Sequence, residues 1–371
     1  MPTTDGAPHA GATLTVDLDA VAANYRILQH RLGGVECAAV VKADGYGLGA
    51  VPVGRALAAA GARWFFTAHL DEAVALRAAL PAPARIAVLN GIWPGLESAF
   101  VEADLLPVLN DVGQIALWRE HGARLGRPLP AVVQIDTGMS RLGLPPAELA
   151  LLEQQPDRLS GLQIALVISH LACADEPGHP LNATQLDRFR AARRLFPGVP
   201  ASLAASSGIF LGRDYHFDLG RPGVALYGVN PTPGSPNPMR PVVRLEARIL
   251  QVRHIDRGDG VGYGAAHRAS RSTKVATVPI GYADGFLRSS SSRGHFLLNG
   301  GPAPILGRVS MDLITLDVTD FSSDDAQPGA TVVAIGDART LDAVAADAGS
   351  IGYEFLTGLG HRYRRAYHGQ A

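Results

Sequence analysis

The feature that most constrains this chain is a short apolar segment that recurs along its first two thirds. Each segment is followed by a Gly, Asp or Asn break and then by a stretch rich in Ala, Leu and Arg that suits a helix. Continuous apolar strands that alternate with helices indicate a parallel sheet buried on both faces. The eight predicted strands are 37–41, 64–68, 86–89, 105–109, 131–135, 164–169, 201–205 and 224–227.

Eight such units are the number found in a (β/α)8 barrel, and about 220 residues suits that fold. Three of the helices can be read directly, at 18–31 after a capping Asp17, at 71–80 and at 145–154. We therefore predict a TIM-type barrel, with an open doubly wound sheet as the second choice.

The pattern changes at a Pro/Gly/Ser-rich stretch, 231–238, which is typical of a domain boundary. Beyond it, apolar and charged residues alternate over 243–249, as in a half-buried strand. The Asn299-Gly300 pair predicts a tight turn, and a helix is expected at 341–348. Further strands are predicted at 274–280, 295–298, 305–317 and 331–335.

The sequence therefore predicts two domains. The first is the barrel, at 17–232, and the second is a mostly β domain at 233–371. A strand signal also precedes the barrel, so residues 1–16 are a candidate addition to the second domain.

Charge and composition exclude several classes of partner. The 33 basic and 34 acidic side chains leave a net charge of −1, which gives no electrostatic reason to expect nucleic acid or an anionic membrane. No run of about 18 apolar residues suggests a membrane span, and the amino terminus lacks a signal-peptide pattern. The two cysteines, Cys37 and Cys173, are too few for a disulfide scaffold. We therefore expect a cytoplasmic protein.

Residues at the carboxyl ends of barrel strands are candidates for chemistry. Lys42 closes the first predicted strand, where a lowered amine pKa would allow Schiff-base formation; the alternative is a surface lysine before a glycine turn. The following Gly45-x-Gly47 loosely fits a dinucleotide-binding pattern, but the next strand lacks the acidic residue which that pattern needs at its end. A nicotinamide site is therefore disfavoured.

Other candidates follow the later strands. Arg141 can bind a carboxylate, and His170 can stack on a ring or act as an acid, although either can also be structural. His170-x-x-Cys173 is too sparse for zinc, so no metal is expected. The loops around Ser206 and Gly223 suit a phosphate, or are ordinary glycine turns. A lysine opposite a phosphate site suggests a phosphorylated aldehyde cofactor.

The second domain contains three further motifs, each of which can also be an ordinary loop or turn. Tyr263 lies between two glycines, and Tyr282 lies in a similar Gly-Tyr segment. The run that ends in Met311 and Asp312 can offer backbone donors to a carboxylate.

Taken together and in order, these motifs resemble the alanine racemases, pyridoxal-phosphate enzymes with a barrel followed by a β domain. The resemblance covers nearly the whole chain. Its motifs are VVKADGYGLG (40–49), DTGMSRLG (136–143), SHLACADE (169–176), RPGVALYG (221–228), GYG (262–264), PIGYADG (279–285) and GRVSMD (307–312).

The resemblance implies a homodimer that interconverts L- and D-alanine and supplies D-alanine for cell-wall peptidoglycan. It implies that Lys42 binds pyridoxal 5′-phosphate as a Schiff base and acts as one base. Tyr263 matches the opposing base, which reaches the active site from the other subunit. Arg221 matches the arginine at the pyridine nitrogen.

The remaining roles are implied by the same match. His170 matches the imidazole beside the cofactor ring, whereas Arg141 and Met311 match groups near the phenolic oxygen and the substrate carboxylate. Tyr282 and Asp312 match residues at the entrance and behind the site. The implied phosphate contacts are Tyr46, Ser206, Gly223 and Val224.

Three positions depart from the family pattern. Gln134 stands where a lysine, sometimes carbamylated, is common, so it supplies no charge beside Arg141. Ala205 stands where asparagine is common, and His361 falls near the place of a phosphate-binding tyrosine, so no role is assigned to it.

Other functions remain open at this point. A racemase for serine or for a broader set of amino acids is one. A fold-related decarboxylase is less favoured because that family uses a second-domain cysteine, and the last cysteine here is Cys173. A non-catalytic cofactor carrier is mostly a lone barrel, which the second domain argues against.

Overall fold

The computed structural model describes residues 3–6, 10–80 and 82–369. The strands up to residue 220 are β1 (Thr3–Gly6), β2 (Ala12–Asp17), β3 (Glu36–Cys37), β4 (Ala39–Val40), β5 (Trp64–Thr67), β6 (Arg85–Val88), β7 (Leu106–Leu109), β8 (Leu129–Gln134), β9 (Leu162–Ile168), β10 (Ala201–Ser202) and β11 (Leu219–Gly220). The helices are α1 (Leu18–Leu32), α2 (Lys42–Tyr46), α3 (Ala50–Ala59), α4 (Leu70–Ala79), α5 (Glu97–Glu102), α6 (Val112–Arg124), α7 (Pro146–Gln154) and α8 (Pro180–Ala192).

The parallel strands form the predicted barrel. Strands β4 to β10 pair in sequence order as one parallel sheet. Strand β11 pairs in parallel with β3, which directly precedes β4, and a parallel bridge joins Ala205 to Arg221. These two connections join the ends of the sheet, and the helices lie between successive strands, as expected of a (β/α)8 fold.

The predicted strand at 224–227 is wrong, because Val224–Tyr227 is a 3-10 helix. The eighth strand, β11, lies just before it. A short run of buried apolar residues does not distinguish a strand from a buried helical turn by periodicity. Here the turn packs against α1, where the Asn24 side chain donates a hydrogen bond to the Leu226 carbonyl at 3.2 Å.

Helix α2 is a left-handed turn. Ala43, Asp44 and Gly45 all have φ between 52° and 62° with ψ between 45° and 50°. Tyr46 also has a positive φ, of 55°. For residues with a Cβ this conformation costs roughly 1–2 kcal/mol each, and such strain is concentrated at functional sites. The segment that follows Lys42 is therefore held in place by its surroundings.

The remaining strands belong to the mostly β region. They are β12 (Val243–Arg248), β13 (Gln251–Ile255), β14 (Gly260–Val261), β15 (His267–Arg268), β16 (Thr273–Val278), β17 (His295–Leu298), β18 (Gly301–Pro304), β19 (Ile314–Asp317), β20 (Thr331–Ile335) and β21 (Arg364–His368). Two helices, α9 (Leu341–Asp347) and α10 (Gly352–Gly358), precede β21. The main sheet has the order β1-β21-β2-β12-β20-β17-β18, so the amino-terminal strands lie within it.

The predicted turn at Asn299-Gly300 is confirmed, with φ of 48° and 81° between β17 and β18. The single strand predicted at 305–317 is wrong, since only β19 at its end is a strand. Gly307, with φ of 68°, breaks the run, and a Cβ there would lie 2.8 Å from the Val261 carbonyl oxygen.

Candidate active site

A cavity of about 1290 Å³ opens at the carboxyl ends of the barrel strands. Such a position is where active sites of barrel enzymes lie. The cavity brings together eight residues predicted from the sequence, together with Gln134 and Ala205. These eight are Lys42, Tyr46, Arg141, His170, Ser206, Arg221, Gly223 and Val224.

Lys42 stands at the start of the left-handed turn and is half-buried. Burial lowers the pKa of its amine, and the nearby Arg141 guanidinium lowers that pKa further. Glu72 acts in the opposite direction on the same pKa. A lysine with a lowered pKa has a larger neutral fraction at neutral pH, which is the form that attacks a carbonyl group.

Arg221 is buried, and two hydrogen bonds fix its orientation. Its guanidinium donates to the Ser202 hydroxyl and to the Ser169 carbonyl oxygen. Burial lowers the pKa of Arg221 to about 9, so the group still carries its charge at neutral pH. Among the described residues it forms no ion pair with a carboxylate, and its charge is therefore available to the cavity.

His170 lies two residues after the end of β9, and Gln185 holds its backbone in place. The Gln185 amide donates to the His170 carbonyl at 2.9 Å and accepts from the Ala172 N–H at 2.8 Å. Burial, assisted by the positive charges of Arg221, Arg141 and Lys42, lowers the pKa of His170 to about 3. The imidazole is therefore neutral across the physiological range.

Ser206 and Gly223 form a cradle at one side of the cavity. The Ser206 hydroxyl accepts hydrogen bonds from the Gly223 and Ala225 N–H groups, at 3.0 and 3.2 Å. A Cβ at Gly223 would lie 2.3 Å from the Tyr46 phenolic oxygen, so only glycine fits there. The cradle thus places the hydroxyl groups of Ser206 and Tyr46 next to the backbone of Gly223, an arrangement that suits the binding of an anion.

Arg141 lies on a loop ordered by Asp136. One Asp136 carboxylate oxygen accepts hydrogen bonds from the N–H groups of Gly138, Met139 and Ser140 at 2.9 to 3.1 Å. Arg141 is exposed at the cavity and pairs with no carboxylate in the part of the chain that the structure describes. Gln134 donates to the carbonyl of the next residue, Leu142, at 3.1 Å. Gln134 thus supports the loop without supplying a charge to Arg141.

Tyr353 is a cavity residue that the sequence did not predict. It lies on α10, far along the chain from the barrel strands, and its ring centroid is 6.5 Å from that of Tyr46. Burial, together with the Asp175 and Asp342 carboxylates, raises the pKa of Tyr353 to about 12, so its hydroxyl remains a donor. His361 is exposed and does not line the cavity.

Four predicted residues lie away from the cavity of their own chain. Tyr263 is 72% exposed and Met311 is 53% exposed, both in the mostly β region. Tyr282 is close to Met311, because its N–H donates to the Ser310 carbonyl at 3.0 Å. Asp312 is paired with Arg362 at 2.8 Å. The structure thus separates these residues from the group around Lys42.

A barrel whose mouth combines a lysine of lowered pKa with fixed cations and an anion cradle defines a two-domain enzyme suited to a phosphorylated aldehyde. The family models for the alanine racemase N-terminal and C-terminal domains match residues 16–231 and 242–367. The chain belongs to the alanine racemase family.

Relatives match nearly the whole chain. An alanine racemase of Rhodospirillum rubrum is 52% identical over 97% of this chain and 96% of its own length. A catabolic alanine racemase of Agrobacterium fabrum is 52% identical over 96% and 92%. The crystal structure of alanine racemase from Bartonella henselae, which has covalently bound pyridoxal phosphate, superposes with a TM-score of 0.93 at 42% identity, over 96% of this chain and 99% of that one.

Proposed function

We propose that this chain is a racemase that interconverts L-alanine and D-alanine with pyridoxal 5′-phosphate as its cofactor. The observation that carries the proposal is the position of Lys42, half-buried at the cavity with a lowered amine pKa. The names of relatives that cover the whole chain at about 50% identity favour alanine as the substrate.

The residues at the cavity suit this cofactor. The Lys42 amine can bond to its aldehyde, and the Ser206–Gly223 cradle with Tyr46 and Val224, which all line the cavity, can hold its phosphate. A Cβ at Gly223 would collide with the Tyr46 hydroxyl and so displace one of these groups. The charged Arg221 would face the pyridine nitrogen and disfavour its protonation. When bound, pyridoxal phosphate supplies a conjugated system that acidifies the Cα–H of the attached amino acid.

Racemisation needs a proton removed from one face of the α-carbon and a proton supplied to the other. Lys42 would serve one face, and its lowered pKa suits proton transfer near neutral pH. Tyr263 would serve the opposite face. His170, which is neutral, would lie beside the cofactor ring without adding charge.

Arg141 and Met311 would contact the substrate. The Arg141 guanidinium has no carboxylate partner among the described residues, which leaves it able to bind the alanine carboxylate. Met311 would contribute near the same group, and Tyr282 with Asp312 would line and support the entrance.

A homodimer would bring these groups together. Tyr263 is outside the cavity of its own chain and strongly exposed, as are Tyr282 and Met311. Exposed apolar side chains grouped in this way mark an interaction surface. We infer that this surface meets the cavity of a second copy, so that each subunit supplies Tyr263 to its partner.

None of the helices in the described residues is long and apolar enough to cross a membrane. We infer a cytoplasmic enzyme that supplies D-alanine for cell-wall peptidoglycan.

We also propose the domain limits of 17–232 and 233–371, with residues 1–16 added to the second domain.

Chiral analysis of the products from a panel of L-amino acids tests the function. We expect D-alanine from L-alanine with pyridoxal phosphate bound. Amine products would indicate a decarboxylase, and faster conversion of L-serine would indicate a serine racemase. Reduction with borohydride should fix the cofactor on Lys42, and a label at another residue would contradict the site.

A further inference from the structure

Glu72 joins the left-handed turn Lys42–Tyr46, called the lysine turn from here on, to the neighbouring barrel strand. One of its carboxylate oxygens accepts a hydrogen bond from the Ala43 N–H at 2.6 Å. The other oxygen accepts from the N–H groups of Ala68 and His69, at 2.8 and 3.1 Å. Ala43 directly follows Lys42, and Ala68 directly follows β5, the strand that pairs with β4. The carboxylate therefore ties together two adjacent strand ends.

Capping of helix α4 explains only part of this arrangement. The side chain of the third residue of a helix commonly accepts a hydrogen bond from the backbone N–H of the residue that precedes the helix, which here is His69. The bond to Ala43 instead reaches a separate segment, 29 residues earlier in the chain. Glu72 does not itself line the cavity. Its contact with the turn thus calls for a further explanation.

The lysine turn requires contacts that hold its backbone in place. Its left-handed backbone is unfavourable for Ala43 and Asp44, so it persists only where neighbours hold it. At its other end, the buried Arg365 donates to the Gly47 carbonyl at 2.7 Å. Glu72 and Arg365 thus hold opposite ends, and Glu72 holds the end next to Lys42.

The charge of Glu72 also reaches Lys42. Burial and Arg141 lower the pKa of the Lys42 amine, and Glu72 raises it. Loss of the carboxylate would therefore leave the amine with a still lower pKa. The same group thus acts on both the position and the protonation of the lysine.

We propose that Glu72 is a positioning residue that fixes the Lys42 turn against β5 and tunes the reactivity of the Lys42 amine. The proposal rests on the function proposed for Lys42. It places Glu72 behind the site, where it acts through Lys42 and touches neither cofactor nor substrate.

The test compares Glu72→Gln with Asp71→Asn. Both substitutions remove one negative charge from the first turn of α4, but Asp71 is exposed and, among the described residues, makes no hydrogen bond with the segment after Lys42. Glutamine keeps the length of the side chain, yet its NH2 must face at least one of the three N–H donors. We measure amide hydrogen exchange over residues 43–49 in the apoprotein. We also measure the rate and affinity of covalent attachment of pyridoxal phosphate to Lys42 as a function of pH.

For Glu72→Gln we expect faster exchange over 43–49 and roughly tenfold weaker cofactor binding, the scale of one lost hydrogen bond to a charged group. The midpoint of the attachment rate should move to lower pH, because only the neutral amine reacts. Asp71→Asn should match the wild type in all three. Unchanged exchange and an unchanged midpoint in Glu72→Gln would overturn the proposal, even if its unfolding temperature fell.

A second variant and the wild-type control separate the outcomes. If Glu72→Gln does not fold, Glu72→Asp keeps the charge but shortens the reach, and normal exchange over 43–49 in that variant would overturn the proposal. If the wild type itself attaches no pyridoxal phosphate at Lys42, the proposed function fails. If the wild type attaches it and Glu72→Gln behaves identically, only the role of Glu72 fails.

Discussion

The phenol rings of Tyr46 and Tyr353 lie 6.5 Å apart, centroid to centroid, at an angle of 52°. Tyr46 ends the left-handed turn of the barrel, whereas Tyr353 comes from α10, near the end of the chain. The region after the barrel therefore contributes directly to the cavity wall. Both phenols have raised pKa values owing to burial, so both keep their protons at neutral pH and can donate to an anion.

This pair predicts a shared role in holding the cofactor phosphate. Tyr46→Phe and Tyr353→Phe should each weaken pyridoxal-phosphate binding about ten- to a hundredfold, the scale of one lost hydrogen bond to a charged group. Equilibrium dialysis against the free cofactor measures the effect. Tyr215→Phe, at a phenol that does not line the cavity, is the control. Unaltered affinity in Tyr353→Phe would remove it from the phosphate site.

Tyr263→Phe should separate the two proton transfers. The phenol is expected to act on L-alanine, so its loss should slow release of the α-proton from L-alanine about 10²-fold or more. Release from D-alanine, which is assigned to Lys42, should be affected less. Exchange of the α-proton in deuterated water measures both. An equal loss from the two enantiomers would contradict this division of roles.

His170 should not titrate between pH 5 and 9. Its pKa in the folded chain is about 3, whereas an unfolded histidine titrates near 6.5. The unfolded chain thus binds more protons between these values, so the stability that neutral His170 provides is complete above about pH 6.5 and falls as the pH drops.

The imidazole resonances of His170 in NMR spectra should therefore stay constant from pH 9 to pH 5. In denaturant titrations, the free energy of unfolding of His170→Asn should depend less steeply on pH between 6.5 and 4 than that of the wild type. An imidazole midpoint near 6.5 in the folded protein would show that burial and the three nearby cations do not act as described.

Two glycines with positive φ provide a matched test of packing at the lysine turn. Gly47 has φ of 81°, and a Cβ there would lie 2.3 Å from the Leu356 carbonyl oxygen. Gly34 has φ of 98° and open space around it. Gly34→Ala should lower the free energy of unfolding by about 1–2 kcal/mol through backbone strain alone. Gly47→Ala should cost a further 1–3 kcal/mol from overpacking and weaken cofactor binding.

Denaturant unfolding of the two variants measures the difference. Because both substitutions incur similar backbone strain, the excess cost at Gly47 reports the contact between the turn and α10. Equal costs for the two variants would show that α10 moves aside without loss.

Much of the fold follows from local pattern. The alternation of apolar segments with helices gave the barrel, and Asp17 does cap α1, since its carboxylate accepts from the Ala20 N–H at 2.8 Å. The strands at 295–298 and 331–335 and the Asn299-Gly300 turn are confirmed. In these segments the local propensity and the tertiary environment favour the same structure.

The parts that were missed depend on distant contacts. The 3-10 helix at Val224–Tyr227 is decided by its packing on α1, which an apolar run does not reveal. Tyr353 reaches the cavity because α10 docks on the lysine turn, and no spacing in the sequence connects the two. The left-handed backbone after Lys42 is likewise held by Glu72 and Arg365, both far from it along the chain.

The placement of β2 has a consequence for synthesis. It pairs on one side with β12 and on the other with β21, so neither partner exists until the ribosome has completed the entire barrel. Contacts of such long range form slowly, and an unpaired strand offers open edges to other chains. Leu14 and Val16 are fully buried in the finished protein. On the nascent chain they therefore stay exposed to solvent, where chaperones can bind them.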